Sequence, residues 1–198
     1  MKNLFSSKKS FLILIIFFSF IPFPRKAFSD NENSINKKTE KIFLKINKSD
    51  EYFYEGVKKM NNGKHKEALD EFNKAIELNP NFINAIFNRA LMKDKIGDFN
   101  GAINDYTKVI EKEPAWDAFL YRGLSYRRAM KFNEAIKDFT KVIEIKPNDI
   151  GAFLQRASLK QNLGNHSSAI EDYSEALKIN PKLEIAYYLR GFSKYSIK

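Results

Sequence analysis

Ala102-Ile103-Asn104-Asp105-Tyr106-Thr107-Lys108-Val109-Ile110-Glu111, then two residues and then Pro114, is the stretch that decides the fold. The same phrase runs from Ala68 to Glu77 with Pro80, from Ala135 to Glu144 with Pro147, and from Ala169 to Leu177 with Pro181. The prolines step by 34, 33 and 34 residues. A fixed period of this length means stacked like units, none of which can bury its apolar face alone.

Within each phrase the apolar residues recur at spacings of four and three: Ala68, Phe72, Ala75; Ala102, Tyr106, Val109; Ala135, Phe139, Val142; Ala169, Tyr173, Ala176. That places them on one face of a helix. The small residue lets a partner helix approach, and the aromatic fills the space one turn on. A second helical pattern precedes each phrase, with Gly56, Ala90, Gly123, Ala157 and Gly191 at the matching close-contact position. The proline lacks an N–H to donate and marks the reversal into the next unit.

Numbered so that the proline is position 32, the units resemble the tetratricopeptide repeat. Gly or Ala stands at 8, Ala at 20, Tyr or Phe at 24, a small residue at 27 and Pro at 32. The resemblance covers 49–198: four units (49–82, 83–115, 116–149, 150–183) and a lone first helix, 184–198. It implies an all-α, right-handed superhelical solenoid of antiparallel helix pairs. Two departures stand out. Arginine replaces leucine at position 7 in every unit but the first, and Met130 stands where Gly63, Gly97 and Gly164 form the inter-helix turn. If that turn needs φ > 0, Met130 occupies it at a cost of about 1 kcal/mol, making unit three the softest hinge.

The arginines suggest a charge ladder. Arg89, Arg122, Arg156 and Arg190 each follow an acid at position 23 of the preceding unit: Glu71, Asp105, Asp138 and Asp172. The first unit, with no predecessor, has Glu55 at position 7; the fifth, with no second helix, keeps Arg190. Both ends point to pairs between units: Glu71–Arg89, Asp105–Arg122, Asp138–Arg156 and Asp172–Arg190.

The resemblance also implies that first helices line a concave face. Positions 5 and 9 there read Phe53 and Val57, Phe87 and Leu91, Leu120 and Leu124, Leu154 and Ser158, Tyr188 and Phe192. One reading is ordinary helix packing. The other is an apolar groove for a partner polypeptide, anchored by Phe53, Val57, Phe87, Asn88, Leu91, Leu120, Leu124, Leu154, Tyr188 and Phe192. Relatives that clamp a C-terminal carboxylate use lysine, arginine and asparagine at set groove positions. Here those are Phe53, Val57, Asp117 and Tyr121, and only Asn88 fits, which argues against that clamp. Arg127 and Arg128 form the one basic spot near the groove. Trp116 sits at the shortened junction after Pro114 and reads as rim packing. Tyr188, Phe192 and Tyr195 share a face of the last helix and suggest self-association through 184–198.

The remainder of the chain bears on location. Lys2, Lys8 and Lys9 precede a run, 11–21, that is apolar apart from Ser19. It is shorter than the roughly 20 residues of a spanning helix and fits the 7–15, roughly, of a signal-peptide core. Residues 1–29 are therefore expected to be a signal peptide cut after Ser29 or an uncleaved anchor through 11–21, with the protein exported or membrane-tethered. Residues 30–48 are polar and expected to be a flexible linker. Of the net charge of +10, +5 lies in residues 1–29, +2 in 30–48 and +3 in 49–198. The nearly balanced repeats argue against nucleic acid, leaving contact with a membrane to the N-terminal segment. With no cysteine there is no disulfide framework and no thiol nucleophile. His65 and His166 share position 17 with Phe99 and Phe132, as aromatic fillers. No catalytic constellation, metal site or cofactor motif stands out, so the expected function is non-catalytic: a scaffold that binds another protein, in assembly of an envelope or membrane complex.

Overall fold

Four left-handed residues punctuate the described part of the chain, each closing a first helix so that a second can fold back on it. Gly63, Gly97 and Gly164 have φ of 72, 89 and 78°, and Met130 has φ 59°. All four make the same pair of bonds. At Gly97 the amide donates to the Asp94 carbonyl, and the Asp98 amide reaches back to Lys93; at Met130 the partners are Arg127 and, from Lys131, Tyr126. These bonds satisfy carbonyls that a helix end otherwise leaves open. The turn does require φ > 0, and Met130 supplies it without glycine's freedom.

The computed structural model describes residues 25–197. Its helices are α1 (Arg25–Asn61), α2 (His65–Leu78), α3 (Ile83–Lys95), α4 (Phe99–Lys112), α5 (Trp116–Arg128), α6 (Phe132–Ile145), α7 (Ile150–Asn162), α8 (His166–Ile179) and α9 (Glu184–Tyr195). Two compact units divide the chain, residues up to Leu44 and residues from Lys45 onward. In the first, the described part is helical from Arg25. The stretch 30–48, expected as a flexible spacer, is thus helical. No glycine or proline falls between Pro24 and Gly56, and Lys, Leu and Glu are good helix formers; polarity alone was a poor guide to disorder. Every residue from Lys37 to Lys48 is exposed. The apolar run 11–21 lies outside the described residues, and among those described no helix is long and apolar enough to cross a membrane.

In the second unit each helix packs on its sequence neighbours, and α3 also touches α5, the first helix of the next repeat. This is the nearest-neighbour architecture of a helical solenoid. The aromatics Phe72, Tyr106, Phe139 and Tyr173 are fully buried, as are Ala68, Ala102, Ala135 and Ala169. Close approach explains the small residue at position 8. A Cβ on Gly56 would lie 2.7 Å from Phe72, and one on Gly123 would lie 3.1 Å from Phe139, whereas Gly191 meets nothing within 4 Å.

The junctions between repeats follow two alternating patterns. Buried Phe72 packs against Met92 of the next unit, and Phe139 against Leu159. Where the aromatic is tyrosine, the next unit offers a fully buried serine instead. Ser193 donates to the Gln161 side chain at 2.9 Å, which also accepts from the Tyr173 hydroxyl at 3.1 Å. Ser125 donates to Asp94 at 2.9 Å in the corresponding place, but the Tyr106 hydroxyl is buried with no partner. Burial first, then the charge of Asp94, pushes that phenol far above its ordinary pKa and keeps it neutral.

Candidate functional site

Antiparallel packing within a unit sets position 7 of the first helix against position 23 of the second, and that contact decides the ladder. Arg89 donates through Nε and Nη2 to both oxygens of Asp105, at 2.8 and 2.7 Å. Arg122 grips Asp138 in the same way at 2.8 and 2.8 Å, and Arg156 grips Asp172 at 2.9 and 2.6 Å. The expected inter-unit pairs Glu71–Arg89, Asp105–Arg122, Asp138–Arg156 and Asp172–Arg190 are therefore corrected. The planar fork closes on the carboxylate of its own unit.

A link between units does exist, through the remaining nitrogen. Nη1 of Arg89, Arg122, Arg156 and Arg190 donates to position 25 of the preceding unit: Asn73, Thr107, Thr140 and Ser174, at 3.0–3.1 Å. Arg190 makes this link to Ser174 just as the other three make theirs. At the other end Glu71, lacking an arginine, is held by Lys59 at 2.7 Å and Lys74 at 3.1 Å.

Electrostatics differ along the ladder. The hydrogen bond from Lys59 holds the Glu71 carboxyl below the usual range, against the opposing pull of burial. Asp138 is lifted above that range because burial outweighs the Arg122 fork. Arg122 is itself desolvated, which alone would lower its pKa, but the Asp138 bond and the neighbouring negative charge together more than offset this. Lys93 and Lys160 add a second cation to Asp105 and Asp172 at 2.8 and 2.9 Å; the third unit has Tyr126 at that position. With their forks committed, Arg89, Arg122 and Arg156 act as bracing between helices and between repeats, and Arg190 braces one repeat against the preceding one.

On the first-helix face most expected anchors are engaged in packing. Phe53 and Val57 lie against Ala68 and Phe72; Phe87 and Leu91 against Ala102 and Tyr106. Leu120 and Leu124 pack on Phe139, and Leu154 packs with Leu189 on Tyr173. These seven residues of α1, α3, α5 and α7 are half-buried, whereas Tyr188 and Phe192 on α9 are exposed. Asn88 is half-buried and its side chain makes no hydrogen bond among the described residues. Sequence reasoning named Asn88 at position 6 but not the more accessible tyrosines at the same position of the units on either side. Tyr54 is 69% exposed and Tyr121 37%, flanking Asn88 in the unit between. Tyr121 sets its edge against Phe87 at 5.6 Å and stacks on Tyr106 at 6.1 Å. The aromatic neighbours thus hold its ring in one orientation. Its period-matched spacing to Tyr54 was visible in the sequence.

The basic spot is partly neutralised: Arg128 pairs with Asp94, and Arg127 donates to Gln155 at 2.6 Å. Trp116 is half-buried under the Lys146 ammonium, 3.6 Å from the ring centroid. His65 and His166 are half-buried at equivalent turns, and among the described residues no cluster of three or more His, Asp or Glu is placed to hold a metal.

Stacked helix pairs joined by left-handed turns and presenting their first helices along one face define a helical-repeat protein. Sequence models of the tetratricopeptide repeat match residues 49–82, 116–149 and 162–197, together more than half of the chain. The chain belongs to the tetratricopeptide repeat family. It is 28% identical over 127 residues to human tetratricopeptide repeat protein 6, covering 64% of this chain and 24% of that protein. It is also 44% identical over 57 residues to an uncharacterised protein of Methanocaldococcus jannaschii, covering 29% of this chain and 66% of the other. The chain thus spans about a quarter of the human relative and 66% of the archaeal one. Among solved structures, MamA superposes with a TM-score of 0.72 at 21% identity, over 75% of this chain and 82% of MamA. YrrB, described as a TPR protein with an unusual peptide-binding site, gives 0.66 at 18%, over 73% and 75%. At these identities the likeness is one of fold.

Proposed function

We propose that this protein is a non-catalytic scaffold, exported or membrane-tethered, which holds an extended segment of a partner protein along its first-helix face during assembly of an envelope or membrane complex. The observation that carries the reading is the Tyr54–Asn88–Tyr121 row. Two exposed phenols flank an uncommitted amide, and the neighbouring apolar residues are half-buried in packing. Aromatic rings bring large contact area at little entropic cost, and an asparagine can both donate to and accept from a passing peptide group. The packed apolar residues Phe53, Val57, Phe87, Leu91, Leu120, Leu124 and Leu154 form the floor, with the row above them as the contact surface. The test is selection of peptides from a random library on the full chain, followed by Tyr54→Ala, Asn88→Ala and Tyr121→Ala. Selected peptides should weaken at least tenfold with Tyr121→Ala and keep their affinity with Lys178→Ala on the second-helix side. Equal retention by all four variants would refute it.

A second reading is self-association through 184–198, favoured by the exposure of Tyr188 at 70% and Tyr195 at 78%. Light scattering that finds a monomer at every concentration would refute that one.

A further inference from the structure

Helix α9 is a first helix that no second helix covers among the described residues, yet it carries the groups that grip one. In the second and fourth units Arg89 and Lys93 close together on Asp105, and Arg156 and Lys160 on Asp172, each lysine one turn beyond its arginine. Arg190 and Lys194 repeat that spacing on α9. Arg190 is held as its counterparts are. Its Nη1 donates to Ser174 at 3.1 Å, and the guanidinium lies 5.3 Å over the Tyr187 ring, as Arg122 and Arg156 lie 5.7 Å over Phe119 and Phe153. Its Nε and Nη2, the two donors that form the fork elsewhere, make no hydrogen bond among the described residues, and Lys194 pairs with no acid there. The apolar part of the face is open as well. Position 8 is buried in the first four units, but Gly191 is exposed, with nothing within 4 Å of an added Cβ. Tyr188 and Phe192 beside it are exposed at positions 5 and 9, where the first three units half-bury both side chains against their own second helix.

We infer that α9 binds an amphipathic helix of a partner protein, antiparallel to itself, in which an acid is followed directly by phenylalanine and preceded, three residues earlier, by alanine. The acid enters the Arg190 fork with Lys194 beside it, and the ring covers Gly191. The pattern is that of this chain's own second helices, where Ala68, Glu71 and Phe72, and Ala135, Asp138 and Phe139, take those places. The glycine specifies the ring. A Cβ on Gly56 or Gly123 would lie 2.7 or 3.1 Å from Phe72 or Phe139, whereas Ala90 and Ala157 stand against Tyr106 and Tyr173. A guanidinium braced on two sides loses little freedom when a carboxylate closes on its fork. Charge complementarity decides against a second copy as the occupant. Between 184 and 197 the one acid is Glu184, in the first turn of α9, and Glu71, Asp105, Asp138 and Asp172 are buried in their own units. The inference does not rest on the Tyr54–Asn88–Tyr121 row, and it gives the surface considered for self-association a different occupant.

The probe is a synthetic peptide with the α6 sequence, Phe132–Ile145, cross-linked on its polar face because so short a helix is marginal alone in water. Its binding to the full chain is followed by fluorescence anisotropy. Wild type should bind this peptide, and should bind the same peptide carrying Asp138→Asn about tenfold or more weakly. Arg190→Gln/Lys194→Gln should weaken the Asp peptide by a similar factor and the Asn peptide little, since the acid and the cations act as one pair. Gly191→Leu keeps the Ser174 link and has room for its side chain. It should therefore remain folded by circular dichroism and lose the Asp peptide, yet keep library-selected peptides whose binding depends on Tyr121. A wild type that fails to bind the Asp peptide, equal binding of the two peptides, or undiminished binding by Gly191→Leu would overturn the inference. So would a dimer that Gly191→Leu dissolves and the Asp peptide leaves intact, which would assign the face to a second copy.

Discussion

Replacing Met130 with glycine should stabilise the protein. An L residue in the left-handed region costs about 1–2 kcal/mol from the contact of its Cβ with the backbone. Met130 sits there at φ 59° while making the same two turn bonds as the glycines. Its side chain is 75% exposed, so its removal forfeits little packing. No heavy atom lies within 4 Å of a Cβ built on Gly63, Gly97 or Gly164, so the cost at this turn is one of backbone conformation and not of crowding. Glycine's greater freedom in the unfolded chain returns part of the gain, leaving about 1 kcal/mol, or roughly 2–4 °C for a chain of this size. Urea unfolding followed by Trp116 fluorescence reads the effect in the same repeat, and hydrogen exchange should show α5 and α6 opening less often. Gly97→Met should cost about the same 1 kcal/mol in the second repeat. If Met130→Gly fails to raise the midpoint and Gly97→Met fails to lower it, the left-handed turn carries no penalty and the reasoning is wrong.

Arg122→Met should destabilise by about 3–5 kcal/mol, because Asp138 is left buried without its fork; Arg122→Met/Asp138→Leu should recover most of the loss. A single variant costing under about 1 kcal/mol in urea titration would contradict this placement. Tyr173→Phe should cost about 0.5–1.5 kcal/mol through the lost bond to Gln161, whereas Tyr106→Phe, which removes an unpartnered buried hydroxyl, should be neutral or stabilising. Thermal melts of the two variants that shift equally would refute the distinction. Glu71, its carboxyl lowered by Lys59, contributes stability above the ordinary carboxylate range, and this is lost as pH falls through its lowered value. Asp138, raised by burial, acts with the opposite sign. Glu71→Gln should therefore flatten the acid limb of the stability profile, and an unchanged limb would count against the Lys59 bond.

The repeat and its core were legible because each unit restates them. Ala102, Tyr106 and Val109 mean little alone and a great deal beside three copies in phase. The turn was legible for the same reason, with three glycines identifying Met130 as the exception. The partner of each arginine was not. Asp105 lies 16 residues after Arg89, Glu71 lies 18 before it, and only the interhelical geometry separates those distances. The logic of the two ends did identify a bond across the junction, but assigned it to the acid instead of to Asn73, Thr107, Thr140 or Ser174. The extension of α1 through 30–48 was missed because a lysine-rich, exposed helix looks, by composition, like a linker. Tyr54 and Tyr121, on either side of the anticipated Asn88, were missed because positions 5 and 9 are the more apolar. Apolarity there turned out to mark packing between helices.

The alternating junctions give this array a grammar whose word is two repeats long. Excising the second repeat alone would bring Phe72 against Ser125, a hydroxyl facing a benzene ring with its Asp94 partner gone. Excising the second and third together would bring Phe72 against Leu159, the same kind of junction that Phe139 already makes. Lengthening or shortening by one repeat therefore creates a mismatch, whereas a step of two preserves every seam. The solenoid is divisible, but only in pairs.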